Sequence, residues 1–164
     1  MVKKPRIAQI APLWIPVPPK TYGGIELMVY NIVEELIKRE YKVSLIASGD
    51  SKTSAELIPI TEKAIWLEHN IRNPHAPIIR MIKILFDRFR DFDLIHNHFN
   101  FFSFPLSLRS DCPPFLTTVH RPVDFEYIQT MLAYDKIKFC AISNDHKKSI
   151  EEQGVPVVGV VPNG

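Results

Sequence analysis

Proline placement constrains this chain more than any other feature. Fourteen prolines are spread over 164 residues, yet four crowd into residues 12–19 and the stretches 20–58, 78–104 and 123–155 contain none. Proline has no amide hydrogen and a fixed φ, so it cannot sit in helix interiors or central strands. Regular structure must therefore lie mainly in the proline-free stretches, and 12–19 must be a stiff, helix-free loop. No internal repeat, low-complexity tract or linker interrupts the pattern.

Within that frame, hydrophobic periodicity alternates strand and helix. Near-continuous apolar runs predict strands at Arg6–Ala11, Lys42–Ala47, Asp93–His96, Phe115–Val119, Ile137–Ile142 and Val157–Val161. Shorter β-like pieces are expected at Leu57–Ile60 and Ala64–Leu67. Helical spacing marks Gly24–Glu40, where Ile25, Met28, Ile32 and Leu36 share a face, and Ile78–Arg90, with Ile78, Ile82, Leu85 and Phe89. Further helices are expected at Phe99–Arg109, Glu126–Tyr134 and Asp145–Gln153, the last closed by Gly154. Strands alternating with helices imply βαβ units, hence an α/β, Rossmann-like, doubly wound and mainly parallel sheet with helices on both faces. Such sheets bind ligands beyond the carboxyl ends of their strands. Function is thus expected in 12–24, 48–54, 96–100, 120–125, 143–145 and 162–164.

Length and composition bound the rest. A chain of 164 residues suits one domain, residues 1–164, large enough to fold without disulfide or metal. Disorder, collagen, coiled coil and a membrane span are excluded, and a net charge of +2 is too small to argue for nucleic acid. Peripheral membrane contact has no residue pattern behind it. The start MVKKPRIAQIAPLW reads as a strand rather than a signal peptide, and Cys112 and Cys140 leave room for one bridge at most, so a reduced, cytoplasmic chain is expected.

Among the loops, Gly23-Gly24 stands before a helix, where free amide groups and the absence of a Cβ favour close approach of a phosphate. It matches neither GxGxxG nor the P-loop signature, which argues against a nicotinamide oxidoreductase. His96, His98 and His120 end two neighbouring strands, but no acidic or cysteine partner at ligand spacing accompanies them, so no metal is expected. One is expected to be a satisfied structural histidine and another a sugar- or phosphate-binding donor, with His120 the best placed. Asp50 after the second strand reads as a loop cap, Ser143 as a helix N-cap, the phenylalanines of 99–104 as packing, and the lysines at 136, 138, 147 and 148 as a solvated face.

The pieces RIAQIAPLW, PPKTYGGIELMVYNIVEELIKREYKVSLIASGDSKT, FDLIHNHF, TTVHRP, AISNDHKKSI and VPNG, taken in order, resemble the N-terminal domain of retaining glycosyltransferases of family 4, the group 1 type with the GT-B fold. The resemblance implies one half of a two-domain hexosyltransferase that moves a sugar from a nucleotide-sugar donor to a sugar, lipid or small-molecule acceptor with retention. The donor is a substrate, and neither cofactor nor metal is implied. By the same resemblance Gly23 and Gly24 lie against the donor diphosphate and His120 is the catalytic histidine near the transferred sugar. Tyr22, His98 and Arg121 fall on the acceptor or sugar side, and Asn163 and Gly164 begin the hinge. The family's C-terminal, donor-binding domain is not represented in this sequence, so the 164 residues alone are expected to be inactive. The competing expectation is a non-catalytic sugar- or phosphate-binding module of the same fold.

Overall fold

The computed structural model describes residues 4–163. Seven strands form one parallel sheet: β1 (Arg6–Ile10), β2 (Lys42–Ala47), β3 (Glu56–Pro59), β4 (Leu94–Asn97), β5 (Phe115–Val119), β6 (Ile137–Ala141) and β7 (Val157–Val160), in the order β3-β2-β1-β4-β5-β6-β7. Four α-helices connect them: α1 (Gly24–Lys38), α2 (His75–Arg88), α3 (Phe125–Leu132) and α4 (Asn144–Glu151). This is the Rossmann-like α/β architecture expected from the alternating pattern.

The strands are apolar on both sides because both faces of the sheet are covered. On one face Met28, Val29 and Val33 of α1 pack over Val43, Leu45 and Ala47 of β2. In the other core, Ile78, Met81 and Leu85 of α2, Ile128 and Met131 of α3 and Ile150 of α4 gather around Ile10, Ile46, Ile95 and Phe139. Alternate residues of β2 thus serve opposite cores, as the two-residue period of a strand requires.

Helix ends follow local chemistry. The Asp124 carboxylate accepts from the Tyr127 amide at 2.8 Å and the Ser143 hydroxyl from the His146 amide at 3.0 Å, so both residues are N-caps. Gly154, at φ 87°, closes the turn after α4. α2 starts three residues before Ile78, because Pro77 lies in its first turn, where a missing amide hydrogen costs nothing.

Two expectations are corrected. Ala64–Leu67 is not a β piece: Ile65–Leu67 is a single 3-10 turn, and the Ile65 and Trp66 amides donate to the carbonyls of Leu13 and Trp14 in the proline-rich loop at 2.9 and 3.2 Å. Nor is Phe99–Arg109 a helix. The Asn97 side chain donates to the Asn100 carbonyl at 2.7 Å and accepts from the Phe99 amide at 3.1 Å, Asn100 takes φ 46°, and only a 3-10 segment, Phe104–Leu108, follows. The phenylalanines of this stretch pack as expected: Phe104 is fully buried and meets Phe115, Tyr134 and Phe139 at ring-centre distances of 5.5–6.5 Å.

The order of strands locates the crevice. The chain leaves β1 toward β2 and β3 and then returns to lay β4 on the opposite side, so connections diverge between β1 and β4. The loops after these two strands, residues 11–23 and 98–103, flank that point at the carboxyl edge.

Phe104 provides a check on the larger core. Phe104→Ala should lower unfolding free energy by about 3–5 kcal/mol in urea titration, whereas exposed Leu108→Ala should stay within about 0.5 kcal/mol of the parent.

Candidate functional site

The proline-rich loop is held from below. The Val17 amide donates to the Ser51 hydroxyl at 3.0 Å, and the Lys52 amide to the Val17 carbonyl at 2.6 Å. Leu13 and Val17 are buried, so the loop has anchors of its own. Asp50 accepts from the Ala64 amide at 3.0 Å, which makes it the loop cap expected.

The loop delivers the chain to Gly23 and Gly24, and the two glycines differ. Gly23 has φ 147°, and a Cβ there would lie 2.8 Å from the Pro19 Cβ and 2.9 Å from Glu26 Oε2. Only glycine satisfies both constraints. Gly24 is the first residue of α1, and a Cβ on it would meet nothing within 4 Å. The N-cap residue Gly23 supplies no side-chain cap, and within the first turn the Glu26 carboxylate bonds its own amide.

Across the crevice, three imidazoles cluster at tilted angles. His96 and His98 have ring centres 4.0 Å apart and His98 and His120 5.3 Å apart. His96 Nε2 lies 2.8 Å from the Thr118 hydroxyl, on the neighbouring strand β5, and is the satisfied histidine expected. His98 is 2% exposed and both its nitrogens are used: Nε2 is 2.8 Å from Gln9 Oε1 and Nδ1 3.0 Å from His120 Nε2.

Hydrogen-bond polarity assigns the protons. The Gln9 amide oxygen can only accept, so His98 donates through Nε2 and its Nδ1 must accept. His120 therefore donates through Nε2, which leaves its Nδ1 as a bare acceptor. That atom is buried and has no hydrogen-bond partner of ordinary geometry, although the Asn163 side chain lies close enough to favour the charged ring. Burial drives the pKa of His96 and of His120 down to about 4 and that of His98 well below the ordinary value, with neighbouring imidazoles adding to the effect. All three rings are neutral at pH 7. Among the described residues no group of three His, Cys, Asp or Glu side chains is arranged to hold a metal ion.

The remaining sequence candidates sit around this core. Tyr22 is 79% exposed at the mouth of the glycine loop. Arg121 is exposed, pairs with Asp124 at 3.0 Å and lies over the Tyr127 ring. Asn163 borders His120, while Gly164 lies outside the described residues. Three further residues belong to the site and were not singled out from sequence. Gln9 anchors His98. Glu26, 5% exposed, lies against Gly23, and burial raises its pKa. His146, in the first turn of α4, opposes protonation of His120 and lies against the Arg121 backbone. A signal for Glu26 did exist: it shares the i, i+3, i+7 stripe of α1 with buried Val29 and Val33, an odd place for a carboxylate.

Comparison with known proteins gives the chain a family. The family model described as Glycosyltransferase Family 4 matches residues 22–164. The chain belongs to glycosyltransferase family 4. No curated protein matches it. Among solved structures it is similar to AviGT4, a glycosyltransferase involved in avilamycin A biosynthesis, with a TM-score of 0.65 and 19% identity. The match covers 96% of this chain and 41% of that one, so the family 4 domain described here spans less than half the length of its structural neighbour, as one half of a GT-B fold does. No helix among the described residues is long and apolar enough to cross a membrane.

The depressed imidazoles make stability depend on pH. Unfolded histidine titrates near pH 6.5, folded His96 and His120 near 4. Between those values the unfolded chain binds protons that the folded chain refuses, so stability is complete above the unfolded value and is lost as pH falls toward 4. Urea unfolding at pH 7 and pH 5 should differ by about 2–4 kcal/mol, and equal midpoints would contradict the buried, neutral cluster.

Proposed function

We propose that this chain is the N-terminal, acceptor-side domain of a nucleotide-sugar-dependent hexosyltransferase that retains anomeric configuration. The observation that carries the reading is the buried relay from Gln9 through His98 to His120, which leaves one buried imidazole nitrogen, beside the Asn163 side chain, without a hydrogen bond of ordinary geometry. A neutral Nδ1 with a fixed lone pair accepts from a sugar hydroxyl. It does so without changing charge in the physiological pH range.

On this reading the donor diphosphate approaches Gly23 and Gly24, where the open space at Gly24 and the amides at the start of α1 suit an anion. His120 faces the transferred sugar. His98, with both nitrogens occupied, acts through His120 rather than on the ligand itself. Tyr22 and Arg121 border the acceptor side. A second domain, joined after Asn163 and Gly164, supplies the nucleotide contacts and the positive groups that stabilise the leaving diphosphate. The reaction uses no metal, and residues 1–164 alone do not turn over. The protein acts in the cytoplasm.

The test uses the full-length protein and a panel of nucleotide sugars, with transfer and donor hydrolysis both measured. His120→Ala should lower kcat/KM by about 100-fold or more in a protein that stays folded, with about 1–3 kcal/mol of stability lost because His98 Nδ1 is left unpaired. Unaltered kcat/KM would remove His120 from the site. Gly24→Val should weaken donor binding while leaving the fold intact, because the added side chain fills space that the protein itself leaves open. Equal donor affinity in that variant would take the glycine loop out of the donor site.

A further inference from the structure

Beyond the imidazoles the crevice continues into a second, apolar hollow. A cavity of about 220 Å³ runs from Gly23, Gly24 and Glu26 on one wall to His98 and Asn100 on the other. Trp14, Ile15, Tyr22 and Trp66 line it and also line an adjoining groove of about 350 Å³, where Pro16 and Leu67 join them. The two hollows therefore adjoin across four shared residues and offer two chemistries.

The inner end is polar and incomplete. Glu26 is buried, yet among the described residues no side chain donates to its carboxylate, which bonds its own backbone amide. A buried acceptor in that state is completed by a donor from outside. The outer end is aromatic. The Trp14 and Trp66 rings lie 6.2 Å apart at 31°, and Trp66 stays 63% exposed beside exposed Leu67. Apolar surface concentrated next to a polar crevice marks a binding face rather than ordinary surface. The groove's polar side chains are those of Lys20, Thr21 and Tyr22. A second sugar ring laid there would lose water from several hydroxyls and find few partners, whereas an alkyl or aryl group loses nothing.

We propose that this double hollow binds an amphipathic alcohol as acceptor. Its hydroxyl-bearing head meets Glu26 in the cavity, and its aliphatic or aromatic body lies on Trp14 and Trp66 in the groove. The proposal rests on the transferase reading, since it names the acceptor class for the same site.

Trp66 is 63% exposed in the groove, so the part of the intrinsic fluorescence that a Trp66→Phe variant loses reports on the groove. The experiment titrates the full-length protein, in parallel with octyl β-D-glucoside below its micelle concentration and with methyl β-D-glucoside. Octyl glucoside should shift the emission to the blue saturably, with an affinity at least about tenfold above that of methyl glucoside. Leu67→Asp, at the exposed rim, should weaken octyl glucoside by about fivefold or more and leave the unfolding midpoint unchanged. Glu26→Gln should weaken both glucosides. Equal responses to the two glucosides would overturn the proposal. So would emission already blue-shifted and unresponsive to either, the result expected if another part of the protein or a second copy covers the groove. The readout is independent of turnover. Normal His120-dependent transfer without octyl preference sinks the acceptor class alone, whereas octyl binding without transfer from any nucleotide sugar sinks the transferase reading alone.

Discussion

A polar side chain in the central strand of a two-sided sheet has to be satisfied, and much of the candidate site follows from how Gln9 is. Gln9 is 1% exposed between β2 and β4, where an unpaired amide oxygen would cost on the order of 1–3 kcal/mol. Its partner is His98, which the chain places by continuing beyond β4 so that the His98 amide donates to the Ile10 carbonyl at 2.9 Å. Because an amide oxygen only accepts, the tautomer of His98 is dictated, and His98 in turn dictates that of His120. A requirement of the core thereby sets the hydrogen-bonding polarity of a buried nitrogen of His120, two imidazoles away. Burial then keeps the relay neutral, so the polarity does not reverse near neutral pH.

The opposite wall of the crevice obeys a different constraint. The loop between β1 and α1 carries prolines where it needs no amide hydrogens, and it is pinned through Val17 and through the 3-10 turn at Ile65–Leu67. Its rigidity reduces the conformational entropy lost when a ligand orders the site. The same pinning forces the turn at Gly23, where Pro19 and Glu26 leave no room for a Cβ. Gly23 therefore serves the packing of the loop, whereas nothing packs against the position a Cβ would take at Gly24.

Much of this was legible in the sequence. The proline map and the two periodicities give the strands and helices, because apolar burial on both faces leaves strong patterns. The caps at Asp50, Asp124 and Ser143 follow from short-range chemistry that a side chain carries with it, and two of them were readable as such. What escaped depended on long-range partners. Gln9 looks like a stray polar residue in RIAQIA until His98, 89 residues away, meets it. Ala64–Leu67 has strand-like composition, but its amides are claimed by loop carbonyls rather than by a sheet edge. Phe99–Arg109 has helical spacing, but the Asn97 side chain turns the backbone before a helix can start. The histidines were visible as a group, whereas their order in the relay was not.

The electrostatics of the crevice suggest how labour is divided in a transferase built on this domain. The three clustered rings are neutral, the exposed Arg121 guanidinium is already paired with Asp124, and Glu26 adds a carboxylate whose charge burial opposes. Apart from the amides at the start of α1, these groups offer a departing diphosphate little positive charge. They are suited instead to recognising hydroxyl groups, which need fixed acceptors and donors rather than net charge. On the proposed reading, stabilisation of the leaving group therefore falls to the facing domain. This half contributes geometry: a tautomer locked from the core, a loop stiffened by proline and a glycine that lets the ligand approach. Separating hydroxyl recognition from charge stabilisation keeps each wall of the cleft chemically uniform. On the same proposed reading, closure of the two walls assembles a complete site that neither contains alone.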